Sequence, residues 1–427
     1  MKAWHPNPSG FRPSELVSPV YDTLGLEEHQ KLDRLPYNAA TFTSRRSDLS
    51  GPDFLRAAAE SLERALAARA YVQDPSEGFY VYAIEYRPEE DILEAIAPGE
   101  RRPGYMLLGL VGSLSMDRPE EIALHERTFS DRVEERVSLT QVTGKHFAPV
   151  MAGYTLESHA INDRIEEILG VDRRNLSFRP KVPPLVEAQV NGSTHRLWQI
   201  SDPSTVRELR GLLADRRLVI LDGHHRFTAF TRLRERGRKV RPLTMLVEAH
   251  DRALLLLPWH RVVPPTQAPS GRILEGLRAR FPSVTRGGEN LTIPGIMETL
   301  RELRARQKTG FVVWEHGSSH LVEGSPLNSE GDDYRMLHEF LEGDLHLDPG
   351  AFSFVRSPGR ALSEAKGNDG TAFLLPPLSM EGVEKEAFSG HFMAQKSTMF
   401  LPKVAEGLVF APADEPQSQA SPDHTRT

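Results

Sequence analysis

Leu218-Val219-Ile220-Leu221-Asp222-Gly223-His224-His225-Arg226-Phe227 is the stretch on which the fold turns. Its four opening apolar residues, two of them β-branched, are too few for a helix and show no polar alternation. That is the pattern of a short strand buried on both faces. Asp-Gly ends the run. A helical pattern follows over residues 227–236 and stops at Gly237, a residue type suited to the left-handed position after a helix. Strand, glycine turn and helix in that order predict an α/β protein with a ligand at the carboxyl end of a strand. The turn also has the makings of an anion cradle. The first N–H groups of a helix have no intrahelical acceptor, and the helix dipole favours negative charge there. Gly223 lets the backbone approach a ligand closely, His224 and His225 add donors, and Arg226 suits bidentate phosphate recognition. Asp222, at the strand's end, would meet Mg²⁺ or a polar substrate.

Outward from this turn the elements alternate. Upstream, residues 203–215 read as a helix capped by Asp202 with Pro203 at its first position. Before it, residues 185–190 and 194–200 flank Asn191-Gly192, a strong hairpin signal. Helices are expected at 53–70, 131–143 and 156–169, and strands at 79–86 and 105–114, the second continuously apolar. Downstream, strands are expected at 243–247 and 254–257, then helices at 272–280, 295–307 and 334–342 with strands at 311–314 and 320–322. Residues 372–377 and 396–409 read as closing strands and loops. The division implied is an N-terminal α/β segment (1–115), a core (116–264), a C-terminal α/β region (265–411) and a disordered tail (412–427) rich in Pro, Ser, Gln, Asp and Thr.

Composition narrows the function. A chain of 427 residues calls for two or three folding units. Lys and Arg total 52 against 59 Asp and Glu, a net charge of -7, so general nucleic-acid binding, which depends on neutralising phosphates, is not expected. With no cysteine there is no disulfide, thiolate metal site or cysteine nucleophile. Residues 1–10 lack the apolar run of a secretory signal, and no stretch approaches the ~20 apolar residues of a membrane helix. A cytoplasmic protein without a membrane partner is expected, of open oligomeric state.

Two further clusters carry chemistry. In Leu124-His125-Glu126-Arg127-Thr128, followed by Asp131 and Arg132, Glu126 stands between two basic neighbours that set its proton affinity, as a general base requires. It is not a zincin motif, since position 129 is Phe rather than a second His. In Gln395-Lys396-Ser397-Thr398, then Pro402-Lys403, a lysine beside hydroxyls suits phosphate or metal contacts, without the glycine run of a Walker loop. Trp259-His260-Arg261 after Pro258 is a possible site wall.

Ser18-Pro19-Val20-Tyr21-Asp22, His125-Glu126-Arg127-Thr128, Asp222-Gly223-His224-His225-Arg226, His260-Arg261 and Lys396-Ser397-Thr398 with Pro402-Lys403 resemble, in that order, motifs of the DUF1015 family, over about residues 10–410. The Asp-Gly-His-His-Arg turn is similar to that of ParB/sulfiredoxin-fold proteins, which include free L-serine kinases. The resemblance implies a ParB/sulfiredoxin-like core with a mixed sheet. It also implies a nucleotide-dependent, small-molecule kinase that makes O-phospho-L-serine from ATP or ADP with Mg²⁺. Glu126, supported by His125, matches the carboxylate that activates the substrate hydroxyl. Asp222 matches the acid at the metal and phosphate centre, and Gly223, His224, His225 and Arg226 match the phosphate cradle. Arg132, Lys396, Ser397 and Thr398 are placed with the nucleotide-binding groups. Three departures stand out: Leu221 where the family commonly has Ala, Phe227-Thr228 where it has Tyr-Glu, and Val20 where it has Pro. The rivals are a ParB-like nucleotide-binding regulator without kinase activity and a metal-dependent hydrolase built from His125, Glu126, His224, His225 and Asp222.

Overall fold

In a computed structural model, residues 1–415 are described except 47, 97–103, 157, 174–179, 269–270 and 288–291. The architecture is mixed α/β, organised on two sheets. The larger has eight strands in the order Ile122–Ala123, Leu218–Asp222, Val150–Tyr154, Leu243–Glu248, Tyr105–Ser113, Phe79–Tyr86, Ser193–Ile200 and Val186–Val190. It is a mixed sheet. Leu218–Asp222 runs parallel to Ile122–Ala123 and antiparallel to Val150–Tyr154, which is itself parallel to Leu243–Glu248. The remaining pairs are antiparallel.

Its inner strands, such as Tyr105–Ser113 and Leu218–Asp222, read as nearly unbroken apolar runs because both faces are covered, while the edge strand Val186–Val190 alternates buried and exposed residues. Along Phe79–Tyr86, Tyr80, Tyr82, Ile84 and Tyr86 join one core while Val81 and Ala83 join another. The second core packs on helices Ser130–Thr143, Ala160–Leu169 and His224–Glu235 through Val133, Val137, Ile161, Ile165, Phe227 and Phe230. The first continues into the C-terminal half through Leu257, Phe311, Tyr334, Phe340, Phe373 and Phe400. Each such side chain, buried to a few per cent exposure or less, contributes roughly 1.5–3 kcal/mol by leaving water.

The second sheet is antiparallel, in the order Ser283–Arg286, Ser318–Pro326, Lys308–Glu315, Thr371–Leu374, His260–Val263 and Ser353–Val355. Helices Ile293–Ala305 and Pro358–Asn368 cover its far face through Met297, Leu300, Ala361 and Ala365.

The end of the chain laces these parts together. Thr398–Leu401 pairs with Leu255–Pro258, Ala405–Glu406 with Ser18–Pro19, and Ala411–Pro412 with Lys145–His146. Phe410 and Trp4 exchange backbone hydrogen bonds at 2.8 and 3.0 Å and stack their rings. Asp414 is ion-paired with Arg238, and the Glu415 N–H donates to the Lys239 carbonyl. Residues 412–415 are therefore fixed in place, not part of a tail; 416–427 lie outside the described residues. The boundary expected at 115 falls inside the eight-stranded sheet, which takes strands from both sides of it.

Local expectations hold where a short-range signal existed. Asn191 and Gly192 both have positive φ, 46° and 78°, as the two-residue hairpin turn needs. Asp202 accepts the Thr205 N–H at 2.8 Å at the start of Pro203–Leu213. The helix expected from residue 227 instead begins at His224, with Gly223 as its N-cap. His224, His225 and Arg226 thus form its first turn.

Candidate active site

Leu218–Asp222 delivers Gly223 to the floor of a cleft of about 840 Å³. Gly223 has φ 87°, where a side chain is strained, and an added Cβ would lie 2.8 Å from Arg226 Nη2. Only glycine allows the chain to turn here with Arg226 folded back against it.

Asp222 is held from both sides. Oδ2 accepts from Arg226 Nη2 at 2.8 Å, and Oδ1 is bonded to Lys403 Nζ. Burial alone would raise its pKa; the Lys403 ammonium and Arg226 guanidinium overcome that and hold the carboxyl well below the usual carboxylate range. Arg226 is 6% exposed. Its Nη1 donates to the carbonyls of Ala148 and Pro149, at 3.2 and 2.7 Å. Three of its N–H groups are thus taken by the protein, and Arg226, expected as a phosphate clamp, also buttresses the turn. Each Asp222 carboxylate oxygen likewise already carries a cationic partner. Among the described residues no three His, Asp or Glu side chains are grouped to hold a metal ion. The residues present do not form the multi-ligand metal centre that a hydrolase reading needs.

The second cluster meets the turn directly. His125 Nδ1 lies 3.4 Å from His224 Nε2, and His125 Nε2 lies 2.8 Å from Thr398 Oγ1. Glu126 follows and lines the cleft with Asp222, Gly223, His224, His225 and Arg226. Its Oε1 accepts the Lys396 N–H at 3.0 Å. Burial raises the Glu126 pKa, opposed by that N–H and by the charges of Lys396, Lys403 and Arg261. A carboxylate with raised proton affinity, facing an anion cradle, is suited to general-base work.

The imidazoles are neutral donors and acceptors rather than cations. Burial lowers His125 and His225 to about 4 and takes His224 well below the ordinary range. The Phe129 N–H donates to His225 Nε2 at 3.1 Å, and the two rings stack. Positive charge in the cleft comes instead from Arg87, Arg226, Arg356, Arg360, Lys403 and Lys396, the last with its ammonium 5.4 Å from the Trp259 ring centre.

Of the other residues singled out from sequence, Lys396 and Thr398 line the cleft. His125 is fully buried behind it, and Ser397 is buried with its hydroxyl donating to the Ala394 carbonyl at 2.6 Å. Arg132 is exposed, its guanidinium 5.9 Å from the Phe129 ring centre. These three are not among the lining residues. Trp259, expected as a site wall, and Pro402-Lys403 and Tyr21-Asp22, which the motifs contained without a stated role, also line the cleft. Burial pushes the Tyr21 hydroxyl up to about 12, and the Arg136 guanidinium lies 3.9 Å from its ring centre.

No helix of the described residues is long and apolar enough to cross a membrane. Among solved structures the chain is similar to a free serine kinase in complex with AMP, at 14% identity over 69% of this chain and 90% of that one, with a TM-score of 0.38. It is also similar to a conserved hypothetical protein from Pyrococcus furiosus (12% identity, 70% and 94% covered, TM-score 0.37). SbnI with a C-terminal truncation, from Staphylococcus aureus, matches at 14% identity (68% and 82% covered, TM-score 0.36). No curated protein matches. The family model described as a protein of unknown function, DUF1015, matches residues 1–331, and the chain belongs to that family.

Proposed function

We propose that the cleft binds a nucleotide by its phosphates and transfers a phosphoryl group to the hydroxyl of a small molecule, an L-serine-like acceptor. The observation that carries this is the convergence of Glu126 and the Asp222–Arg226 turn on one cavity from stretches of chain some hundred residues apart. The first-turn N–H groups after Gly223, with Lys396 and Lys403, neutralise the phosphates; Asp222 and Arg226 keep the turn in shape. Glu126 takes the proton of the acceptor hydroxyl as its oxygen bonds to the terminal phosphorus of ATP or ADP. The bond to the leaving phosphate oxygen breaks, and the charge that develops there falls on the cradle. Magnesium enters with the nucleotide, as part of that substrate. Catalysis of this kind rests on positioning and charge neutralisation. The serine-like acceptor follows from the motif resemblance.

The test is incubation of the full chain with ATP or ADP, Mg²⁺ and L-serine, read by mass spectrometry for phosphoserine, with other amino acids and polyols as parallel acceptors. A phosphorylated acceptor is expected. Nucleotide binding with no phosphorylated product across the panel would overturn the kinase reading in favour of a nucleotide-binding regulator.

A further inference from the structure

Arg261 does not line the cleft, yet among the described residues it heads the fully buried side chains by volume and is 0% exposed. A guanidinium is costly to bury unless its donors are met and its charge is balanced. The donors are met by three groups. Nη1 donates to the Trp259 carbonyl at 2.6 Å; Nη2 donates to the Lys396 carbonyl at 3.0 Å and to His338 Nε2 at 2.8 Å. Nε also donates to His338 Nε2, at 3.3 Å. Because His338 Nε2 accepts, its proton sits on Nδ1, which donates to Glu342 Oε1 at 2.9 Å. The Phe354 ring lies 4.3 Å away. Among the described residues no carboxylate is bonded to Arg261 directly. The acids whose charge bears on it are Glu126 and Glu342.

Lys396 is the link. Its φ is 56°, a left-handed conformation that a lysine holds only under constraint. Arg261 grips its carbonyl while its N–H is bonded to Glu126. The charged groups that bear on Glu126 are Lys396, Lys403 and Arg261; His125, its neighbour in the chain, is neutral, and Asp222 is neutralised by Lys403 and Arg226.

We propose that Arg261 is a positioning residue of the phosphoryl transfer. It fixes the Lys396 peptide so that its N–H is aimed at Glu126, and it supplies positive charge that keeps this carboxylate ready to accept a proton. The word transfer rests on the kinase reading above; the control of Glu126 through Lys396 does not.

The experiment uses the full chain, wild type and the variants Arg261→Lys and Arg261→Met. Two readouts need no turnover: amide hydrogen exchange at Lys396, and a carbon-13 NMR titration of the Glu126 carboxyl. In the wild type the Lys396 amide exchanges with the slow amides of the sheets, although it lies in a turn. Arg261→Lys keeps the charge without the fork. It speeds that exchange, leaves the Glu126 midpoint near its wild-type value and lowers turnover ~10–100-fold with little change in nucleotide KM. Arg261→Met also moves the Glu126 midpoint upward. A folded Arg261→Met with wild-type exchange and midpoint overturns the proposal. Should that variant not fold, a fast-exchanging Lys396 amide in the wild type overturns it equally. If the wild type makes no phosphorylated product, the kinase reading falls while exchange and titration still decide the role of Arg261.

Discussion

Asp222→Asn tests whether the carboxylate at the end of the central strand holds the turn together. Asp222, Arg226 and Lys403 are 14%, 7% and 24% exposed as side chains, and Asp222 is bonded to both cations. Removing one partner of a buried ion pair typically costs about 3–5 kcal/mol, because a charge is left uncompensated. The lower end applies here: Arg226 keeps the Ala148 and Pro149 carbonyls, and Lys403 can turn to water. Asp222→Asn should therefore destabilise by about 3 kcal/mol at neutral pH, roughly a hundredfold in the folding equilibrium. The sign of the pH dependence follows from the depressed pKa of Asp222. The unfolded chain takes up a proton near its ordinary value of about 3.9, so the stabilisation is fully present above that pH. It is lost as pH falls toward the folded value. Urea unfolding followed by circular dichroism, at about pH 7, 5 and 3.5, should show a constant gap between wild type and variant at the two higher values and a closing gap at the lowest. A neutral-pH difference below about 1 kcal/mol, or a gap that persists undiminished on acidification, refutes the buttress argument.

Glu126→Gln should cut turnover by about 10²–10⁴-fold while nucleotide affinity, measured by calorimetry, changes little. The turnover rate should rise with pH through the raised pKa of Glu126, placing the acid limb above the ordinary carboxylate range; a limb at or below that range denies Glu126 the role of base. Gly223→Ala should lose both stability and phosphate affinity, since its methyl meets Arg226 at a φ that alanine resists; thermal melts and nucleotide titration check both. Arg132→Ala, on an exposed side chain, should leave nucleotide affinity unchanged within about twofold, and a larger loss would place Arg132 at the ligand after all. Folded stability should fall as pH drops below about 6.5, where unfolded histidines take up protons that buried His125, His195, His260 and His338 bind only at about 3–4. Stability unchanged between about pH 6.5 and 4.5 would refute that.

What the sequence revealed was whatever a short window encodes. The strand ending in Asp222, the Asn191-Gly192 turn and the Asp202 cap each carry their instruction within a few residues. Val150–Tyr154 does not. Val-Met-Ala-Gly-Tyr has neither alternation nor a β-branched run, yet it sits beside Leu218–Asp222 because Gly153 and Ala152 let neighbouring layers close in. The helix start was misplaced because His-His-Arg is a mediocre opening by propensity; the left-handed Gly223 and the pairing of Arg226 with Asp222 decide it. In the site, the meeting of Glu126 with the turn was legible as two separate chemistries, but the occupation of Arg226 was not. Two carbonyls and a carboxylate claim it, and the carbonyls lie nearly eighty residues away. Lys403 and Arg261 were visible only as fragments of motifs, for the same reason: their partners are distant in the chain.

The lacing at the end of the chain has a consequence for biogenesis. A ribosome makes the His-His turn some 170 residues before Lys396, and Lys403 and the strands that join Ser18–Pro19 and Lys145–His146 follow later still. Until then Asp222 lacks its ammonium and Glu126 lacks the N–H that aims it. A polypeptide that ends before residue 396 therefore lacks Lys396 and Lys403 from the cleft wall, and Ser18–Pro19 and Lys145–His146 stay unpaired until residues 405–412 are made.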